Sequence, residues 1–201
     1  MTLRTSAVAL MLALVPSMAL AGEFDGAYVG LNMGYAMRAL ERHIPVPSNG
    51  STATLGDLSS NGLQTGPVLG YGATSGRLYF GGEIDAARSW QDNAKVHTEG
   101  INGTAHFRNS AAASGLLGLL FDDDVLLYGR VGYEYLDEKD EFANQPMTIT
   151  RSRGFAVGGG MEFKLIDHLH LRGEFTYANL DGLRTEVARA RLSLLYRFHL
   201  F

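Results

Sequence analysis

Ten ionisable side chains sit at alternate positions within apolar stretches of this chain. Five are carboxylates: Glu83, Asp85, Glu134, Glu162 and Glu174. Five are cations: Arg130, Arg172, Arg191, Arg197 and Lys164. Alternation puts each on one face of an extended strand, with apolar neighbours on the other. Carboxylates that face cations can pair as structural salt bridges, line a gated ion path, or share acid/base work. Pairing is the preferred reading, because a buried charge without a partner is costly. The other two readings stay as alternatives.

The remaining candidates for chemistry are thinner. His168 and His170 are two residues apart, but two imidazoles without a third ligand make a weak metal site. Both read as turn and interior residues. No serine lies close to them in sequence, as a nucleophile working with either would suggest. Asp137, Glu138, Asp140 and Glu141 offer oxygen ligands of the kind Ca²⁺ prefers, without the spacing of an EF-hand. A solvated acidic loop is expected there. The chain has no cysteine, which excludes thiol catalysis and a disulfide framework. Its net charge of -4 gives no basic footprint for nucleic acid. Catalytic residues, cofactor and metal are all expected to be absent.

The elements that must position the ten charges have a period of two. Eight segments alternate: near Ala27 to Met37, Leu63 to Tyr71, Arg77 to Arg88, Ala105 to Leu120, Val125 to Tyr135, Gly154 to Lys164, Leu169 to Ala178 and Thr185 to Phe201. In the first, Val29, Leu31, Met33 and Tyr35 share one face, and Tyr28, Gly30, Asn32 and Gly34 the other. The fourth is the least regular, because Leu116 falls on the polar face. Period two with one apolar face predicts half-buried strands. Glycine, at 25 residues, is about 12% of the chain against an average near 7%. It falls inside these segments, where it marks close approach or sharp bending in a sheet.

Residues 1–21 read as an address. Arg4 precedes the apolar run Ala7 to Val15, Pro16 ends it, and Ala19-Leu20-Ala21 has the small-x-small cleavage pattern. A cleaved signal peptide over 1–21 and a barrel domain over 22–201 are therefore expected. The rest holds no apolar run near the ~20 residues of a spanning helix. It is then either soluble or a closed transmembrane barrel. Ala73 to Gly76, Asp122 to Asp124 and Ile166 to His168 read as tight turns. Residues 38–62, 89–104 and 136–153 read as longer polar loops, with a short one from Asp181 to Arg184. Short turns at one end and long loops at the other describe outer-membrane barrels, with the turns periplasmic.

Aromatics mark both ends of the apolar face. Tyr71, Phe80, Phe163 and Phe198 lie near the turns. Tyr35, Tyr133, Tyr135, Phe155, Phe175 and Tyr177 lie near the loops, as two interfacial girdles would. A lipocalin-like barrel has the reverse pattern, apolar inside and charged outside; a secreted β-sandwich is the competing soluble fold. The fold class is all-β: an eight-stranded antiparallel up-and-down transmembrane β-barrel.

Several short motifs resemble the small outer-membrane β-barrel family, the group of the OmpA transmembrane domain and the opacity-type surface antigens. They are Tyr28-Val29-Gly30, Phe80-Gly81-Gly82-Glu83-Ile84-Asp85, Leu127-Tyr128-Gly129-Arg130-Val131-Gly132-Tyr133, Gly158-Gly159-Gly160-Met161-Glu162, Arg172-Gly173-Glu174-Phe175-Thr176-Tyr177 and Tyr196-Arg197-Phe198. The likeness is nearest to the porin-family surface antigens of alphaproteobacteria. It implies a Gram-negative outer-membrane location, a monomer among outer-membrane lipids and lipopolysaccharide, and insertion by the barrel-assembly machinery. It also implies that the terminal aromatics Tyr196, Phe198 and Phe201 carry the assembly signal, although His199-Leu200-Phe201 extends past the usual ending. The expected function is a non-enzymatic surface barrel, serving envelope integrity or surface contact, with a lumen plugged by charge pairs. A lipid A-modifying barrel enzyme and a narrow passive pore are the rival readings.

Overall fold

In a computed structural model of the chain, the described residues are 22–45, 52–90, 93–98, 101–142, 148–181 and 185–198. The expected signal peptide, 1–21, and the terminal residues 199–201 lie outside them. Among the described residues nine strands form one sheet: β1 (Gly26–Pro45), β2 (Thr52–Ser75), β3 (Leu78–Trp90), β4 (Asn93–Thr98), β5 (Ile101–Asp122), β6 (Val125–Phe142), β7 (Thr148–Ile166), β8 (Leu169–Asp181) and β9 (Thr185–Phe198). Eight of them close an all-antiparallel barrel, in which β1 pairs with β9 from Ala27↔Phe198 to Leu40↔Thr185. Closure leaves no strand edge within the barrel wall, as a membrane requires.

The ninth strand corrects the reading of 89–104 as a loop. β4 continues the line of β3: both pair with β5, β3 from Leu78↔Leu119 to Arg88↔Asn109 and β4 from Asn93↔His106 to Thr98↔Ile101. Segments 38–62 and 136–153 are likewise mostly strand. β1 and β2 stay paired out to Pro45↔Thr52, and β6 and β7 out to Asp140↔Thr148. These hairpins outgrow their apolar faces. Backbone pairing continues there without an apolar alternation for a sequence reading to detect.

At the other end the connections are tight. Gly76-Arg77 joins β2 to β3, so Ala73 to Ser75 belong to β2 and not to the turn. Gly76 has φ 62°, a region glycine enters without a Cβ clash. His168 adopts φ 67° in the turn from β7 to β8, and its ring stacks on Tyr196 at 5.6 Å. Turn carbonyls extend the ladder to the next hairpin: Arg77 accepts from Leu120 N–H, Asp124 from Lys164, and His168 from Arg197.

The outward face is apolar throughout the wall. Leu31, Met33, Phe80, Ile84, Leu117, Val131, Phe155, Val157, Phe175 and Leu192 are all exposed, Phe155 at 70%. Burying residues of this kind in hydrocarbon is the main stabilising term for such a wall.

Candidate functional site

The inward face is layered. At the short-turn end Phe24, Tyr79, Leu116, Leu126 and Tyr128 form a buried apolar floor. Leu116, which broke the expected alternation, therefore keeps its parity: the interior is not polar at every level. At the long-hairpin end Ala36, Leu136, Ala156, Ala178, Leu180 and Val187 form a second apolar layer. The charges lie between.

Arg130 of β6 is the hub. Its Nη1 donates to Glu83 Oε1 at 3.1 Å and to Glu174 Oε1 at 2.9 Å; its Nε donates to Ser114 Oγ at 2.9 Å. Its Nη2 bonds Asp85. Arg191 bonds Asp85 Oδ2 at 3.0 Å and also Glu174. Two guanidiniums and three carboxylates thus share one cluster in the middle of the barrel. All five side chains are almost fully buried.

Arg172 of β8 links this cluster to a lower one. It bonds Glu83 above, and its Nε and Nη2 reach Glu162 Oε2 at 3.0 and 2.7 Å. Arg197 bonds Glu162 Oε1 from Nε at 2.9 Å and the Phe24 carbonyl from Nη1 at 2.6 Å. His170 Nδ1 lies 3.1 Å from the same Glu162 oxygen. The aromatic rings fill the spaces between. Arg172 stands 5.1 Å from the centroids of both Tyr28 and Tyr128, and Arg197 stands 4.5 Å from Tyr28. Such contacts favour a guanidinium over an ammonium. The tyrosine hydroxyls donate into the network, Tyr28 to Glu83 at 2.8 Å and Tyr128 to Glu174 at 2.7 Å. Space for the rings comes from glycine: a Cβ on Gly70 or Gly72 would lie 2.3 Å from Tyr28 or Tyr79.

A third group sits nearer the long hairpins. Arg189 forms a two-pronged pair with Glu134, one prong at 2.7 Å. Arg38 and Gln64 both donate to Ser89 Oγ, at 3.0 and 2.9 Å.

Arg197, one of the inward cations, is held lower than Glu83, Arg130 and Glu174, on Glu162 and Phe24. Its register row runs Arg197↔Tyr28↔Gly70↔Glu83 across four strands. Strands of a barrel tilt by roughly 35–45°, so a register row climbs the axis and residue counts from the turns do not measure depth. Lys164, grouped with the inward cations, instead meets Glu23 at 2.9 Å and Asp167 at 3.5 Å at the short-turn end. Tyr28, Tyr128, Arg189 and His170 had the inward parity but no assigned partner. Phe24 precedes the first strand, so no periodicity pointed to it.

Outward of this network, Tyr196 and Phe198 are half exposed and stack edge-on at 5.0 Å. Phe201 lies outside the described residues. The acidic run Asp137 to Glu141 falls within β6, not in a loop, and Asp137 pairs with Arg151 at 3.8 Å.

An apolar outer wall, a charged interior, a closed sheet and no helix among the described residues define a transmembrane β-barrel of the outer-membrane type. The chain belongs to the outer membrane protein beta-barrel domain family, whose model matches residues 7–198. It is therefore an outer-membrane protein of the Gram-negative envelope. The 25 kDa outer-membrane immunogenic protein of Brucella ovis is 24% identical over 86% of this chain and 77% of its own length. The same protein of Brucella abortus is 24% identical over 81% and 68%. Among solved structures, Ail of Yersinia pestis covers 87% of this chain and 99% of its own, with TM-score 0.54 and 17% identity. Neisserial surface protein A covers 87% and 98%, with TM-score 0.55 and 13% identity. Those two likenesses concern the fold.

Proposed function

We propose that this protein is a non-enzymatic surface barrel whose lumen is sealed by ion pairs and whose long hairpins face outward, serving envelope integrity or surface contact. The observation that carries the reading is the continuity of the network. Tyr28, Glu83 and Asp85, Ser114, Arg130, Glu162, Arg172 and Glu174, and Arg191 and Arg197 tie β1, β3, β5, β6, β7, β8 and β9 together across the barrel. An eight-stranded barrel is only wide enough for side chains to fill, and here opposed charges and tyrosines occupy that width. The carboxylates are engaged by guanidiniums, an arrangement suited to holding strands together. Acid/base work would call for a carboxylate open to substrate. His170 is fully buried against Glu162, away from the outer wall where a lipid-modifying nucleophile and base would stand.

The reading includes a signal peptide over 1–21, a monomeric barrel and insertion by the barrel-assembly machinery. Planar-bilayer recording tests the seal: the unmodified protein should pass little or no steady current. A large, stable single-channel current would replace the plug with a pore. Mass spectrometry of lipid A from cells with and without the gene tests the enzyme alternative. Identical lipid A species are expected; a missing or added acyl chain would overturn the non-enzymatic reading.

A further inference from the structure

The chain enters the barrel by crossing its short-turn mouth. Residues 22–25 come before β1, and residues ahead of a first strand are usually loose unless something ties them down. Here all four are tied. Asp25 N–H donates to the Gly22 carbonyl at 2.9 Å, and Gly22 N–H returns a bond to Asp25 Oδ2 at 2.7 Å, closing a turn. Asp25 Oδ1 accepts the Thr74 N–H of β2 at 2.6 Å. Glu23 Oε1 meets Lys164 Nζ of β7 at 2.9 Å. β2 and β7 lie four strands apart in either direction around the eight-stranded ring, so the segment is fixed at two opposite points of the mouth. Gly26, at φ 99°, then turns the chain into β1, a conformation open to glycine.

Phe24 lies between those points. Its ring is buried in the apolar floor, edge-on to His170 at 5.2 Å, and the Arg197 guanidinium stands 5.6 Å from its centroid. Its carbonyl accepts from Arg197 Nη1 at 2.6 Å, and Arg197 in turn holds Glu162. The segment therefore joins the floor to the lower charge cluster. Its first residue is as closely placed: a Cβ on Gly22 would lie 2.8 Å from Thr74 Oγ1 and 3.5 Å from Asp25 Oδ2. Gly22 also directly follows the small-x-small pattern Ala19-Leu20-Ala21. Hydrolysis of the Ala21–Gly22 bond by a signal peptidase consumes a water and leaves a carboxylate on Ala21. The amide nitrogen that Asp25 holds becomes the α-amine of Gly22, mostly protonated at neutral pH.

We propose that cleavage after Ala21 creates a structural site: the new Gly22 α-ammonium pairs with Asp25 and holds residues 22–25 as a strap across the periplasmic mouth. A charge-assisted hydrogen bond is roughly twice as strong as a neutral one, so processing strengthens the contact that fastens the strap at β2. Processing also frees the strap to dock. Gly22 is seven residues past Val15, a reach of at most about 25 Å. An apolar run still held in the inner membrane keeps Gly22 beside it. The floor is therefore completed only on a chain that has finished export. The proposal rests on the reading of 1–21 as a signal peptide and of the short turns as periplasmic. It is independent of the charge network as the lumen seal, which bilayer conductance tests separately.

The test uses the protein purified from outer membranes. Intact mass reads the cut, which should leave Gly22 first. A different first residue would overturn the signal-peptide boundary and the ammonium–Asp25 pair together. An amine-reactive ester at pH 7, quantified peptide by peptide, then reads the pair itself. Only the neutral amine reacts, and a carboxylate partner favours the charged form. Gly22 should label about tenfold more slowly in the folded barrel than in the unfolded chain, the effect of raising its pKa by about one unit. Asp25→Asn should remove most of that difference. Phe24→Ala, which releases the strap from the floor, should do the same and should speed hydrogen exchange of residues 22–25. Heat-modifiable gel migration shows that each variant folds. With the cut at Gly22 established, equal labelling in folded and unfolded protein would overturn the strap alone. So would wild-type labelling in both folded variants.

Discussion

The lumen concentrates six buried guanidiniums and five buried carboxylates among the described residues: Arg38, Arg130, Arg172, Arg189, Arg191 and Arg197 against Glu83, Asp85, Glu134, Glu162 and Glu174. Such a set is stable only as a whole. Coulombic attraction offsets desolvation only to the extent that the buried oxygens and N–H groups find partners. Arg130 bonds three carboxylates, so its removal takes a guanidinium from each, leaving Arg172 on Glu83 and Arg191 on Asp85 and Glu174. Arg130→Ala should therefore cost about 3–5 kcal/mol, the usual range for breaking a buried pair, while an exposed substitution such as Asp181→Ala should stay within about 0.5 kcal/mol. Urea unfolding of the reconstituted barrel measures both; an Arg130→Ala loss no larger than that of Asp181→Ala would show that the network does not hold the barrel. Glu83→Gln with Arg130→Ala in a double-mutant cycle should show strong coupling, because one Glu83 oxygen is an Arg130 acceptor. Arg172→Lys should not rescue Arg172→Ala. A lysine has no flat guanidinium to lie between Tyr28 and Tyr128, and no fork to span Glu83 and Glu162.

At the level of elements, the two ends of the barrel differ in kind. The short-turn end is fastened: Asp25 Oδ1 accepts Thr74 N–H at 2.6 Å, Asp25 Oδ2 accepts Gly22 N–H at 2.7 Å, and the buried Phe24 ring meets His170 edge-on at 5.2 Å. The long-hairpin end projects β1–β2, β4–β5 and β6–β7 past the wall. This asymmetry sets the expected orientation, with turns in the periplasm. The chain has no cysteine, so single cysteines report position cleanly. Asp181→Cys, exposed at the hairpin end of β8, should react with an impermeant maleimide on intact cells. Asp123→Cys, in the turn between β5 and β6, should react only after lysis. The opposite pattern would invert the barrel.

At the level of the molecule, closure depends on the last strand. β9 pairs with β1 along one edge and β8 along the other, so the barrel does not exist until it docks. Its outward column ends in Leu194, Tyr196 and Phe198, all half exposed. Deleting His199 to Phe201 leaves Phe198 terminal and should preserve insertion. Deleting Tyr196 to Phe201 removes the stacked aromatics and Arg197 together, and should abolish it. Heat-modifiable migration of outer-membrane fractions distinguishes the two. Folding of the longer deletion would show that the terminal aromatics are not the assembly signal.

Much of this was legible along the chain because its causes are local. A strand with lipid on one side and a filled lumen on the other must alternate, so Val29, Leu31 and Met33 against Tyr28, Gly30 and Asn32 already specify strand and facing. Eight such segments with tight turns between alternate pairs specify an up-and-down barrel. The hairpin extensions were hidden because their residues do not alternate while the backbone pairing continues. Tertiary structure alone decided which charges meet. Arg172 and Glu83 lie 89 residues apart, and their contact depends on how far tilted strands slide past one another when the sheet closes. Strand tilt likewise lowers Arg197 onto Glu162, though its register row contains Glu83. Local alternation assigns a side chain to the lumen; the stagger of the closed barrel assigns its depth and therefore its partner.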